Sequence, residues 1–266
     1  MDSLLRLALA LFALCAPVRK EGRVIAAHHS LLRASGASSL DYVQDAAFLF
    51  FDGIENAGVG NHSASATSWA NLANENAPAV ATSGLLGEWL ADAFHFNQDG
   101  GFACALSNVN WPAGGISIET AFRISQFGTW AGRPFGSYHG TSGTWKRLCF
   151  YPRNASGGGA DVVWGADVAT TVQLEGGDHL PKNYTVAIVG STTATGFQFR
   201  WNGSTTSFST SYYPRDKATN ITIGNEGDLA RPLLGDVCAV RFHARQLTAA
   251  EIDFNAALDR KRFGVT

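Results

Sequence analysis

Phe197-Gln198-Phe199-Arg200-Trp201-Asn202-Gly203-Ser204-Thr205-Thr206-Ser207-Phe208-Ser209 is the stretch whose reading decides the fold. Aromatic residues at 197, 199 and 201 alternate with polar ones, the period-two pattern of a strand with one face in a core. Asn202-Gly203 then supplies the two residues that best tolerate positive φ, which a tight hairpin turn requires. Ser204–Ser209 reads as the return strand. Outward from this hairpin the same signals recur. Residues 184–189 are rich in β-branched side chains and lie between Asn183 and Gly190. Residues 116–124 alternate, with Ile116, Ile118, Phe122 and Ile124 sharing one face. Residues 46–51 read as the first strand, ended by Asp52-Gly53, and residues 221–224 and 234–242 read as late strands. Short strands between turn signals predict an all-β domain.

Only the C-terminus reads as helix. Thr248-Ala249-Ala250-Glu251 is a capping box, in which Thr248 accepts from a first-turn amide and Glu251 reaches back to the Thr248 amide. Leu247 and Ile252 form a hydrophobic staple across it. The helix is expected to run to about Arg260, with Lys261 and Arg262 complementing its negative end.

A chain of 266 residues has room for one large sandwich or two small domains, and no repeat or composition break marks a second one. With 45% hydrophobic and 16% charged residues the bulk of the chain packs a core and is not disordered. A net charge of −2 without a basic stripe argues against a nucleic-acid partner. Cys15, Cys104, Cys149 and Cys238 show no CxxC pair or metal-ligand spacing. The last three sit among apolar strand residues and read as small buried hydrophobes, a disulfide among them staying open. Residues 1–18 carry an apolar stretch over 4–18 that is too short to span a membrane, so no transmembrane span is expected. Its length suits a signal peptide, yet Leu14 stands where a small residue is wanted before cleavage. A cleaved signal and a retained anchoring helix both stand. Residues 19–40 read as a Ser/Ala/Gly-rich linker, and residues 41–266 as the domain.

Residues 184–187, Phe199-Arg200-Trp201-Asn202-Gly203 and Ile221-Thr222-Ile223-Gly224 stand in that order along the chain. Residues 234–242 and Arg245-Gln246-Leu247-Thr248-Ala249-Ala250-Glu251-Ile252 complete the series. This ordered series resembles the LamG-like jelly rolls of the concanavalin A-like lectin/glucanase superfamily. Phe51-Asp52-Gly53, residues 66–72 and Phe94-His95-Phe96-Asn97 extend the likeness to about residues 42–264. In style it is similar to bacterial and bacteriophage surface or virion proteins. The resemblance implies a jelly-roll sandwich of two packed antiparallel sheets with a short C-terminal helix, and binding loops at an edge. It also implies an extracellular, cell-surface or virion location.

Some relatives are glycosidases, and retaining enzymes need two carboxyl groups about 5–5.5 Å apart. Glu119 is the lone acid on its strand, flanked on the same face by Ser117, Ala121 and Arg123, and is expected on a polar face without a catalytic role. No Gly-x-Ser-x-Gly elbow occurs, and His95 and His243 read as edge or surface residues. No catalytic residue is assigned and no enzyme is expected. Ca²⁺ is the one cofactor left open, since Asn225-Glu226-Gly227-Asp228 gathers oxygens that equally suit a solvated turn. Residues 127–145 form an aromatic-rich loop carrying Trp130, Arg133, Tyr138, His139 and Trp145, and Tyr212-Tyr213 lies in a second loop. Such residues stack on sugar C–H faces and bond hydroxyls, although the two tryptophans also suit capping of the sandwich edge. The expected function is non-catalytic, lectin-like recognition of a carbohydrate or glycoconjugate at a cell or virion surface. The rivals are a structural or assembly protein partnered by other virion or surface proteins, and a glycoside hydrolase.

Overall fold

The computed structural model describes residues 38–266 apart from positions 98, 106, 108–111, 127–131, 138–146, 153–158, 166, 174–181, 194–195, 202, 210–219 and 226–230. The strands begin with β1 (Ala47–Asp52), β2 (Ser68–Trp69), β3 (Ala79–Ala81), β4 (Gly87–Trp89), β5 (Phe94–Asn97) and β6 (Phe102–Ala105). They continue with β7 (Gly115–Ile124), β8 (Phe135–Ser137), β9 (Arg147–Pro152), β10 (Gly159–Gly165) and β11 (Asp167–Gln173). The last are β12 (Lys182–Ser191), β13 (Gly196–Trp201), β14 (Ser204–Ser209), β15 (Asn220–Ile223) and β16 (Leu234–His243), and helix α1 (Ala249–Phe263) follows.

Two eight-stranded sheets result. The first runs β14-β13-β12-β7-β16-β5-β4, with β1 also paired to β16; the second runs β11-β10-β9-β8-β15-β6-β3-β2. The described pairings are antiparallel. This is the concanavalin A-like jelly-roll sandwich with one helix near its C-terminus. Aromatic rings join the sheets: Phe150 of β9 stacks on Phe199 of β13 at 5.7 Å and meets Phe122 of β7 at 5.6 Å. Phe135 of β8 meets Phe242 of β16 at 5.7 Å. At the other end Trp69, Trp89, Phe94 and Phe102 interlock, with Trp69 and Trp89 at 4.9 Å and edge to face. Both indoles keep a hydrogen bond, to Asp52 O and Ala66 O. Gly224, with φ of +77°, ends β15 against Phe96; a Cβ there would lie 2.1 Å from the ring.

β14 spans the expected return strand, and β1, β7, β12, β13, β15 and β16 each lie within a few residues of the expected strands. Two details differ. β16 carries a bulge at Cys238, where the pairing with β7 steps from Val237↔Phe122 to Ala239↔Ala121. Strict alternation would place Val237 and Phe242 on opposite faces. The extra residue puts Val237, Val240 and Phe242 together in the core and turns Asp236, Arg241 and His243 outward. At the same point the second neighbour of β16 changes from β5 to β1. Helix α1 also extends past Arg260 to Phe263, which packs against Ala121 and Ala239, and Gly264 closes it at φ 66°. Arg262 is therefore not an exposed terminal cation: it is buried against Asp52 at 3.1 Å.

Cys104 and Cys238 are free and buried. They belong to different clusters, Cys104 between the sheets and Cys238 beneath the end of α1. Burial pushes the Cys104 thiol up to about 12, so it stays protonated, and it donates to Ala77 O. No helix among the described residues is long and apolar enough to cross a membrane.

Candidate functional site

The inner face of the first sheet is apolar; beneath α1 its outer face buries charged and polar side chains beside small apolar clusters. On β7 the alternation that sends Ile118 and Phe122 inward sends Ser117, Glu119 and Arg123 outward. On α1 the spacing of Asn255, Asp259 and Arg262 lines one helical stripe. Docking that stripe on the sheet builds a closed charge cluster. Arg241 of β16 lays two nitrogens on the Asp259 carboxylate at 2.8 and 2.6 Å and a third on Glu119 at 3.3 Å. Asp259 further accepts from the Tyr42 hydroxyl and from Thr185, each at 2.8 Å. Glu119 accepts from Asn255 at 2.8 Å, and the Asn255 oxygen accepts from the Val43 amide. The Tyr42 ring lies 4.3 Å from the Arg241 guanidinium. Burial opposes the charge on Arg241, but the Asp259 and Glu119 carboxylates hold its pKa above the ordinary value.

A second knot joins Arg262 to Asp52 and, at 3.5 Å, to Glu55. Glu55 accepts from the Ser39 amide and from the Ser38 and Ser39 hydroxyls, which straps the first described residues onto the sheet. Burial raises Asp52 to about 6, against the pull of Arg262. A third knot lies at the other end of β16, where Asp236 is shared by His95 at 2.7 Å and Arg123 at 3.3 Å. Arg123 also binds Asp92 and donates to Phe263 O at the helix end.

These clusters correct two expectations. Glu119 does face away from the core, yet it is only 2% exposed because α1 covers that face. His243 is not at the surface either. It is 1% exposed, with Nδ1 at 3.3 Å from Asp45 O and Nε2 at 3.4 Å from Glu119, because α1 and the strap cover the outer side of β16. The Glu119 and Asp259 carboxylates thus meet across a guanidinium and not across a cleft. The cavity bordering Glu119 is about 10 Å³, space for a water and far too small for a sugar ring. The arrangement holds the helix and the strap in place.

Of the residues expected to bind ligand, Trp130, Tyr138, His139, Trp145, Tyr212 and Tyr213 lie outside the described residues. Arg133 is described and is 2% exposed, next to Gly132, where a Cβ would lie 2.6 Å from Pro232 O. The stretch 127–145 is not one loop: β8 runs through it, pairing with β15 and β9 and burying Phe135. Its single buried aromatic between Pro134 and Gly136 is a weak strand signal, and only the two neighbouring strands make it one. Asn225 is buried, donating to Gly100 O and accepting from the Arg231 amide, each at 2.8 Å. That amide braces the turn, while Glu226, Gly227 and Asp228 lie outside the described residues. Among the described residues no group of three or more His, Cys, Asp and Glu is placed to hold a metal ion.

The family model Laminin_G_3, described as concanavalin A-like lectin/glucanases superfamily, matches residues 96–253. No curated protein matches the chain. Among solved structures, Trypanosoma rangeli sialidase in complex with sialic acid is similar with a TM-score of 0.60 and 15% identity, over 83% of this chain and 34% of that one. The same sialidase with 2,3-difluorosialic acid matches with a TM-score of 0.60 and 14% identity, over 92% of this chain and 38% of that one. A Ruminococcus gnavus sialidase CBM40 bound to α2,3-sialyllactose gives a TM-score of 0.43 and 15% identity, over 55% of this chain and 83% of that one. The chain spans about a third of the length of the sialidases, and at these identities the likeness is one of fold.

Proposed function

As a member of the concanavalin A-like lectin/glucanases superfamily, this chain is, we propose, a non-catalytic module that recognises a carbohydrate at a cell or virion surface. The observation that carries the reading is the enclosure of Glu119, which leaves the strand acid of β7 bonded to Arg241 and Asn255 beneath a helix. A retaining hydrolysis needs two carboxyl groups facing a bound sugar ring, and Glu119 faces none. Recognition then falls to the edge loops. In this proposal Trp130, Trp145, Tyr138, Tyr212 and Tyr213 offer stacking faces, His139 a hydrogen bond, and the buried Arg133 shapes the loop base. The sialic acid ligands of the fold neighbours make sialosides a first class to try, beside neutral glycans.

A glycan array run with and without Ca²⁺ tests this, followed by titration of Trp130→Ala. Binding to a defined glycan class, weakened at least tenfold in the variant with the thermal transition unchanged, is the expected result. An array without binding, with the protein assembled into a larger particle, favours the structural-protein reading. Release of free sugar from any arrayed glycan overturns the non-catalytic one.

A further inference from the structure

On the outer face of the first sheet, at the margin of the area covered by α1, Val189, Gln198 and Ser207 lie side by side across β12, β13 and β14. They line a cavity of about 240 Å³ together with Gly190, Gly196, Phe197, Phe208 and Gln246. Gln246 forms a wall, held there because its side-chain nitrogen donates to Gly190 O at 2.9 Å. That bond leaves its side-chain oxygen as an acceptor. Gln198 and Ser207 are exposed. Val189, packed with Leu247 and Ile252, supplies an apolar floor, while the Phe208 ring, stacked on Phe197 at 5.3 Å, turns to the core side of the sheet.

The chemistry of this lining is specific. Two carboxamides and a hydroxyl each both donate and accept, as a sugar hydroxyl does, and the glycines open backbone groups. Among the described residues no charged one lines the cavity, and the nearby Arg245 is engaged by Glu251 and Asp45. A carboxylated sugar or an amino acid would leave its charge without a partner there. The volume suits one ring. We infer that this groove is a second saccharide site, taking a single neutral hexopyranose unit. It rests on the same reading of the chain as a saccharide binder and extends it to a bivalent one. Two weak sites on one rigid sandwich gain avidity on a multivalent glycan surface without any new contact.

Lactose, as a neutral probe in the millimolar range, tests the groove by amide shifts in the ¹H–¹⁵N spectrum of the full chain. Shifts at Gln198, Ser207 and Gln246 are expected. Ser207→Trp, which fills the groove from an exposed edge strand, should weaken them at least tenfold. Gln198→Ala, which removes one exposed amide, should weaken them several-fold. Lactose shifts confined to residues around Trp130, Trp145 and Tyr212 would overturn the groove and leave the lectin reading intact. Shifts nowhere, with an array that binds nothing, would overturn both.

Discussion

Where α1 covers the first sheet, both of its faces are buried, and they are built from different materials. Inward, Ile118, Phe122, Val240 and Phe242 meet the second sheet in an interior of interlocked rings. Outward, one residue along, Glu119, Arg241 and His243 meet Asn255, Asp259 and Tyr42 in a cluster of charges. The contrast concerns tolerance. An apolar interior loses stability in proportion to what is removed, and related shapes substitute for one another. A buried ion cluster adds little net stability when complete, because desolvation offsets attraction, but fails sharply when one member is lost. The inner face thus sets how strongly the sheets hold, and the outer face sets where α1 and the strap must sit.

The largest effect should come from breaking the outer face. Asp259→Ala leaves Arg241 buried with a lone carboxylate and leaves Tyr42 and Thr185 without their acceptor. A loss of about 3–5 kcal/mol is expected in denaturant unfolding. Recovery of most of that loss on adding Arg241→Met and Glu119→Leu would show that the cluster positions the helix more than it stabilises it. A smaller effect should appear with pH. Burial raises folded Asp52 to about 6 from an ordinary value of 3.8, so unfolding releases its proton between those values. Its contribution is full below 3.8 and is lost as pH rises through 6. Asp52→Asn keeps the acceptor oxygen for the Ile54 and Glu55 amides. The melting temperature of the native protein should therefore fall by a few degrees relative to this variant between pH 4 and 7, which a melting series reads directly. A parallel pair of curves would remove Asp52 from the balance. The smallest effect belongs to a charge pair outside the cluster. Asp253 meets Arg200 at 2.5 Å but is 49% exposed, so Asp253→Ala should cost under about 1 kcal/mol and less in salt.

What could be read without coordinates follows from which interactions are local. The hairpin at Asn202-Gly203, the alternation over residues 116–124 and the Thr248 capping box each depend on neighbours within a few residues. The outer cluster has no such signal. Tyr42 and Asp259, or Asp52 and Arg262, are joined across more than 200 positions of chain. Asn255, Asp259 and Arg262 look in sequence like the solvent side of an amphipathic helix, although their spacing of one stripe was the clue available. β8 was equally hidden, because three residues beside Pro134 become a strand only when β15 and β9 flank them. The groove at Gln198 and Ser207 likewise needs Gln246, which follows the end of β16 and reaches Gly190 of β12.

By itself the amino-acid order determined that this is an antiparallel β protein with a terminal helix, since period, turn chemistry and caps act over short range. Only the tertiary structure decided which polar residues face water and which are enclosed. A strand shows two faces to any reader of its pattern, but the element that comes to cover the second face is chosen by the packing of the whole chain.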